Sequence, residues 1–282
     1  MEAQLVRIRE QQKEIWNRFS PGWKKWDDLT MNFLKPMGDE MIHLLSPKGV
    51  DMVLDVASGT GEPGLTIATK LRGGIVVATD LSDGMLEVAR ENAYRRGIKN
   101  FEITAADVSE LPFPDNSFDS VSCRFGFMFF PDMLMAASEM VRVLKPGGKI
   151  AAAVWNAPEK NFWATAILNV INKNMQLMPP PPGAPGLFRC AKSGFISDLF
   201  SKVGLKKVSE TEVTGKLRIG TTENYWNFMT EVVAPVVAAL SNASDVMKAG
   251  IRSEVFELID EKYPYGEVAI DSSALITYGE KS

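Results

Sequence analysis

Cysteine and histidine are nearly absent: Cys123 and Cys190 are the two thiols and His43 the one imidazole in 282 residues. Neither cysteine stands in a CxxC or in a Cys/His cluster with ligand spacing, so no metal is expected. Two isolated thiols build no disulfide framework either, and both read as reduced, structural residues of a cytoplasmic protein. A basic excess is also missing. The formal charge is -4, from 31 Lys and Arg against 35 Asp and Glu, which argues against a nucleic-acid partner because displacing counterions from a polyanion needs a basic face. Long uncharged apolar runs are lacking as well. The N-terminus MEAQLVRIREQQKEIWNRF carries charge in every turn, so neither a signal peptide nor stable membrane insertion is expected. What is present is the composition of a globular protein with one sizeable core, 45% hydrophobic and 23% charged.

Leu5, Ile8, Gln12, Ile15 and Phe19 recur at three-to-four spacing and predict an amphipathic helix over 2–18. A second helix is expected over 31–45, with the aromatic segment FSPGWKKWDDL between the two. From Asp51 short continuous apolar runs alternate with helical stretches, the pattern of parallel strands buried on both faces. Strands are expected at 52–57, 75–80, 101–105, 118–124 and 149–155, and helices at 64–71, 84–97 and 133–144, the last stopped by Pro146-Gly147-Gly148. After Trp155 come a helix over 162–178, then Pro179 to Pro182, read as a stiff linker with a closing lid as the alternative. A helix at 192–203, a strand at 206–213, helices at 222–240 and 244–262 and an alternating run at 267–278 complete the chain; that run suits an edge or antiparallel strand. The organisation implied is an N-terminal helical cap segment over 1–45, a ligand-binding α/β core over 46–157 and a helical insertion over 158–190. The end of the sheet follows over 191–282, with cap helices inserted over 222–262.

VLDVASGTGEPGLTIA, residues 53–68, reads as strand, glycine-rich turn and helix start, the place where open α/β sheets bind ligands. Gly59 and Gly61 let the backbone approach a ligand, and the free amides of the following helix end are expected to face it. Gly59 to Gly64 also satisfies GxGxxG, which by itself suggests a dinucleotide equally well. Charge separates the two readings. Asp55 and Glu62 would repel a pyrophosphate, and no Lys or Arg lies between Val53 and Thr69, whereas a ligand carrying an ammonium and a sulfonium would be attracted. Asp80 ends the next strand, where a carboxylate can accept both hydroxyls of a ribose. Ala106-Asp107-Val108 follows the third strand, where Asp107 can accept from an adenine amino group and Val108 can pack on the ring.

VLDVASGTG, VVATDLSDGMLEVAR, ADVSELPFPDNSFDSV and EMVRVLKPGGKI resemble, in order, the motifs of class I S-adenosylmethionine-dependent methyltransferases, in the branch that makes ubiquinone and menaquinone. The resemblance implies a doubly wound, seven-stranded, mostly parallel sheet with the last strand antiparallel, a Rossmann-like fold, here with a helical cap. It implies S-adenosylmethionine as cofactor and S-adenosylhomocysteine as product. Asp55, Ala57, Gly59 and Gly61 would line the methionine portion, Asp80 and Leu81 the ribose with Met85 nearby, and Ala106, Asp107 and Val108 the adenine. CRFGFMFFPD corresponds to the junction of cofactor and acceptor, with Arg124 and Phe125 beside the methionine tail.

The acceptor expected is a small molecule, apolar or aromatic, such as a quinone precursor. Trp23, Trp26, Phe127, Met128 and Trp226 are its candidate contacts, since aromatic and methionine side chains crowd the cap segments. His43 is a conceivable general base, although a lone histidine on a helix more often sits at the surface. Two alternatives stay open: a relative that binds the cofactor without methylating, and a nicotinamide-dependent oxidoreductase.

Overall fold

Val53, Leu54, Asp55 and Val56 have no exposed face, and a strand with that burial belongs in the middle of a sheet covered on both sides. The computed structural model describes residues 2–178, 181 and 183–282; Pro179, Pro180 and Pro182, most of the expected linker or lid, lie outside them. The strands are β1 (Met52–Val56), β2 (Ile75–Asp80), β3 (Phe101–Ala105), β4 (Phe118–Arg124), β5 (Leu144–Trp155), β6 (Lys206–Gly220) and β7 (Val268–Glu280). They form one seven-stranded sheet in the order β3-β2-β1-β4-β5-β7-β6. β7 runs antiparallel to β5 and β6, and the pairs among β1 to β5 are parallel. The doubly wound, mostly parallel architecture expected from the sequence is therefore the one observed.

Ten α-helices are described: α1 (Glu2–Lys25), α2 (Asp27–Leu45), α3 (Gly64–Lys70), α4 (Asp83–Arg95), α5 (Met133–Val143), α6 (Phe162–Met175), α7 (Phe195–Lys202), α8 (Thr222–Val232), α9 (Ala234–Ser241) and α10 (Asp245–Lys262). α3, α4, α5 and α7 follow or precede sheet strands and flank them. α1, α2, α6, α8 and α9 contribute residues to a cap over the end of the sheet where β1, β2 and β4 terminate. α8 to α10 lie between β6 and β7, whose long antiparallel ladder runs from Lys206 opposite Glu280 to Gly220 opposite Val268.

Four expectations are corrected. The aromatic segment around Pro21 is helical: α1 continues through it to Lys25, and α2 begins at Asp27. Proline at 21 cannot donate to the Asn17 carbonyl, but the Ser20 hydroxyl donates to it instead at 3.0 Å, so the helix passes through without an orphaned acceptor. The helix expected over 222–240 is two helices, broken at Val233, whose backbone is extended two residues before Pro235. The run at 267–278 is antiparallel but interior; β6 is the edge, with most of its side chains exposed. β5 starts at Leu144 and not at 149, so the Pro146-Gly147-Gly148 stop to α5 lies within a strand.

Candidate functional site

Strand β1 ends under a turn held from below. Asp55 is fully buried; its Oδ1 accepts from the Ser122 hydroxyl of β4 at 2.6 Å and its Oδ2 from the Gly64 amide at 3.0 Å. Burial pushes its carboxyl up to about 7, against the opposing pull of the Ser122 bond and of Arg124. Glu62 accepts from the Thr66 amide and hydroxyl and pairs with Arg96. With the Leu65 amide on Gly61 O and the Ile67 amide on Pro63 O, the amides at the start of α3 are taken inside the protein. The expectation that they face a ligand is thus not met. The same fact denies a pyrophosphate the helix-end amides it would use at this turn, an objection to a dinucleotide that adds to the acidity of Asp55 and Glu62.

Above the turn the cleft opens. Gly59 has φ +54°, and a side chain built there would meet no atom within 4 Å, so its missing Cβ leaves space for a ligand. Gly61, at φ +109°, is tight for another reason: a Cβ would press on Leu65 and Ala89, and it faces the packing of α3 and α4. The hydroxyl of Ser58 lines the cleft, buried and without a partner, while Thr60 borders it with its hydroxyl set toward the Asp27 carboxylate, whose burial-raised pKa it pulls back down. Asp80 accepts from the Gly59 amide on Oδ2 and from the Ser82 amide on Oδ1, both at 2.9 Å. Each oxygen keeps a second lone pair, so the carboxylate can still receive two hydroxyls; burial raises its pKa. Asp107 accepts from the Ser109 amide and is gripped by Arg9 of α1 at 2.6 Å.

Where β4 ends, Arg124 and Phe125 form the opposite wall. Burial depresses the Arg124 pKa, while Glu62, Asp55 and Asp27 attract it from a distance. Its bonds go to the Leu34 carbonyl at 3.5 Å and the Met31 sulfur at 3.4 Å, and among the described residues it makes no salt bridge. A guanidinium with donors to spare beside an open cleft is suited to an anion. Phe125 holds φ +64°, a strained conformation for a side chain of that size, and stacks on Trp155 at 4.3 Å between centroids. Trp155 in turn meets Phe33 and Trp163, so one face of the cleft is aromatic.

Of the expected cofactor contacts, Ala57, Gly59, Asp80, Leu81, Met85, Ala106, Asp107, Val108, Arg124 and Phe125 line this cleft. Asp55 and Gly61 do not; they shape the turn from beneath. Among the expected acceptor contacts Trp23 and Met128 line it. Trp26 turns to Glu231 through its indole N–H at 2.7 Å, Phe127 packs on Phe130 and Phe200, and Trp226 packs against the core outside the cleft. His43 is exposed on α2, away from the cleft. Sequence reasoning missed Arg9, Ser58, Thr60, Thr30 and Trp155. Ser58 and Thr60 were legible as turn hydroxyls; nothing local marks Arg9 or Thr30.

Comparisons with known proteins agree with this geometry. A family described as a methyltransferase domain matches residues 54–152. The demethylmenaquinone methyltransferase of Listeria welshimeri is 32% identical over 152 residues, 53% of this chain and 64% of that protein. The chain therefore spans less than two thirds of the length of that curated relative. A solved structure of a putative methyltransferase from Bacillus halodurans superposes with a TM-score of 0.57 at 21% identity, covering 86% of this chain and 98% of that one. The [4+2]-cyclase SpnF shares the fold too, with a TM-score of 0.55 at 21% identity over 87% and 80% of the two chains. No described helix is long and apolar enough to cross a membrane.

Proposed function

We propose that this chain, which carries a class I S-adenosylmethionine-dependent methyltransferase domain similar to those of the menaquinone branch, binds S-adenosylmethionine in the cleft and methylates a small apolar or aromatic acceptor. When bound, that cofactor supplies an electrophilic methyl group on a sulfonium. Asp80 receives the ribose hydroxyls on its two spare lone pairs, and Leu81 and Met85 pack beside the sugar. Asp107 accepts from the adenine amino group while Val108 covers the ring. The Ser58 hydroxyl bonds the amino-acid end, and Arg124 takes its carboxylate. These residues fit the group through features already present: the orphaned Ser58 hydroxyl, an open space at Gly59 and, in Arg124, a guanidinium with no salt bridge among the described residues.

The observation that carries this reading is the internally satisfied start of α3 beside the free valences of Asp80. It favours an adenosine ligand without phosphates. The aromatic face of Phe125 and Trp155 orients a flat acceptor against the methyl group and excludes water, and alignment of this kind can supply much of the acceleration. Charge is dispersed in such a transfer, so the scheme assigns no residue as base, His43 included.

Calorimetric titration of S-adenosylmethionine and S-adenosylhomocysteine into the wild type and Asp80→Ala tests it. Micromolar binding that falls at least a hundredfold in a variant that still melts cooperatively is expected, since two charge-assisted bonds are lost. No heat with the wild type overturns the assignment. Tight binding with no methyl turnover across phenols, quinols, amines and carboxylates would favour a non-methylating relative.

A further inference from the structure

Two hydrogen-bond donors on the cap wall of the cleft have no partner: the indole N–H of Trp23 and the hydroxyl of Thr30, both buried and both lining the cleft. Leaving a buried donor unmatched is costly, and most native donors avoid it. Two other indoles of the cap do find partners: Trp26 donates to Glu231 at 2.7 Å and Trp163 to Asn161 at 3.0 Å. Buried hydroxyls inside the sheet, such as Ser120 and Thr277, are unmatched too, but Trp23 and Thr30 are unmatched where they border an open cleft, and that position points to a partner from outside the chain.

Their position says which part of a ligand they meet. α1 grips Asp107 through Arg9 at one end and meets α8 through Lys25, Trp26 and Glu231 at the other. From Arg9 to Trp23 the helix advances about 21 Å at 1.5 Å per residue. Trp23 lies at the end remote from the adenine side, and Thr30 follows at the start of α2, whose Phe33 joins the aromatic face.

Resting on the proposed function, we infer that Trp23 and Thr30 determine acceptor specificity by donating hydrogen bonds to an oxygen carried on a flat aromatic acceptor. An indole N–H can only donate, and a hydroxyl can donate as well as accept. The oxygen is therefore a carbonyl, a phenol or a phenolate. A cationic group is unsuited, because an ammonium offers no lone pair to an indole N–H.

The test uses the full chain saturated with S-adenosylhomocysteine and three probes, 1-naphthol, naphthalene and 1-naphthylmethylammonium, in equilibrium dialysis. 1-Naphthol should bind about tenfold or more tighter than naphthalene, and the ammonium probe weakest. Trp23→Phe and Thr30→Val should each shrink the naphthol advantage about fivefold, the worth of one neutral hydrogen bond, while naphthalene and S-adenosylhomocysteine affinities stay within twofold. A merely structural role would weaken all ligands together. The inference is overturned if the wild type does not prefer 1-naphthol, if the variants keep the preference, or if S-adenosylhomocysteine affinity falls in step, which would assign the donors to the cofactor's carboxylate. Failure of S-adenosylhomocysteine to bind the wild type would instead strike the proposed function itself.

Discussion

Asp55 accepts bonds from Ser122 and Gly64 where water does not reach, and burial pushes its carboxyl up to about 7. An unfolded chain releases that proton in the ordinary carboxylate range near 4. Between pH 5 and 7 the native state thus holds more protons than the unfolded one, and the stabilisation present at low pH is lost as pH rises through about 7. The slope from this group is at most about 1.4 kcal/mol per pH unit. Urea unfolding at pH 5, 6 and 7 should show Asp55→Asn with a flatter pH dependence than the wild type by that amount. The residue was legible in sequence as the acid ending the first strand; its direction was not, because facing the ligand or facing Ser122 is decided by a strand 67 residues away.

At the scale of elements, α1 joins the rest of the molecule by close approach and by polar ties. Asn17 accepts from the Ser82 hydroxyl and the Gly84 amide at the start of α4, and Lys13 and Lys24 pair with Asp83 and Glu91 on exposed ground, where such pairs contribute little. At its other end Gly22 meets α8 so tightly that a Cβ would stand 2.2 Å from the Glu231 carbonyl. That carbonyl is without its usual helical donor because residue 235 is proline. Alanine is the better helix former by about 1 kcal/mol, yet here a backbone oxygen must move to admit it. Gly22→Ala should destabilise the protein by roughly 1–3 kcal/mol in chemical denaturation, with faster amide exchange in α1 and α8 than elsewhere. Read locally, Ser20-Pro21-Gly22 signals a turn; the Ser20 bond to Asn17 and the packing on α8 override it.

Across the whole molecule, the cleft is bounded by the sheet end on one side and by α1, α2, α8 and the start of α9 on the other. A ligand there touches both layers and binds the native state alone. S-adenosylhomocysteine at a hundredfold excess over its dissociation constant should add about 2.7 kcal/mol, raising the melting temperature by roughly 4–6 °C. NADH at the same concentration should add nothing, since the α3 amides it would need are occupied. Equal shifts from both ligands would contradict the site as described.

Strand and helix identity from Asp51 to Trp155, and the acids after the first three strands, follow from the sequence by itself. Apolar runs, glycine turns and strand-end carboxylates act over a few residues, and a parallel strand buried on both faces admits little but such a run. Tertiary structure alone decided the rest: that Asp55 serves the turn and not the cleft, that Arg9 reaches Asp107, that β7 is interior, and that Trp23 and Thr30 face the cleft while Trp26 and Trp226 do not. Each depends on which distant surface an element packs against, and helical period or strand alternation fixes only a face, not the partner that face will meet.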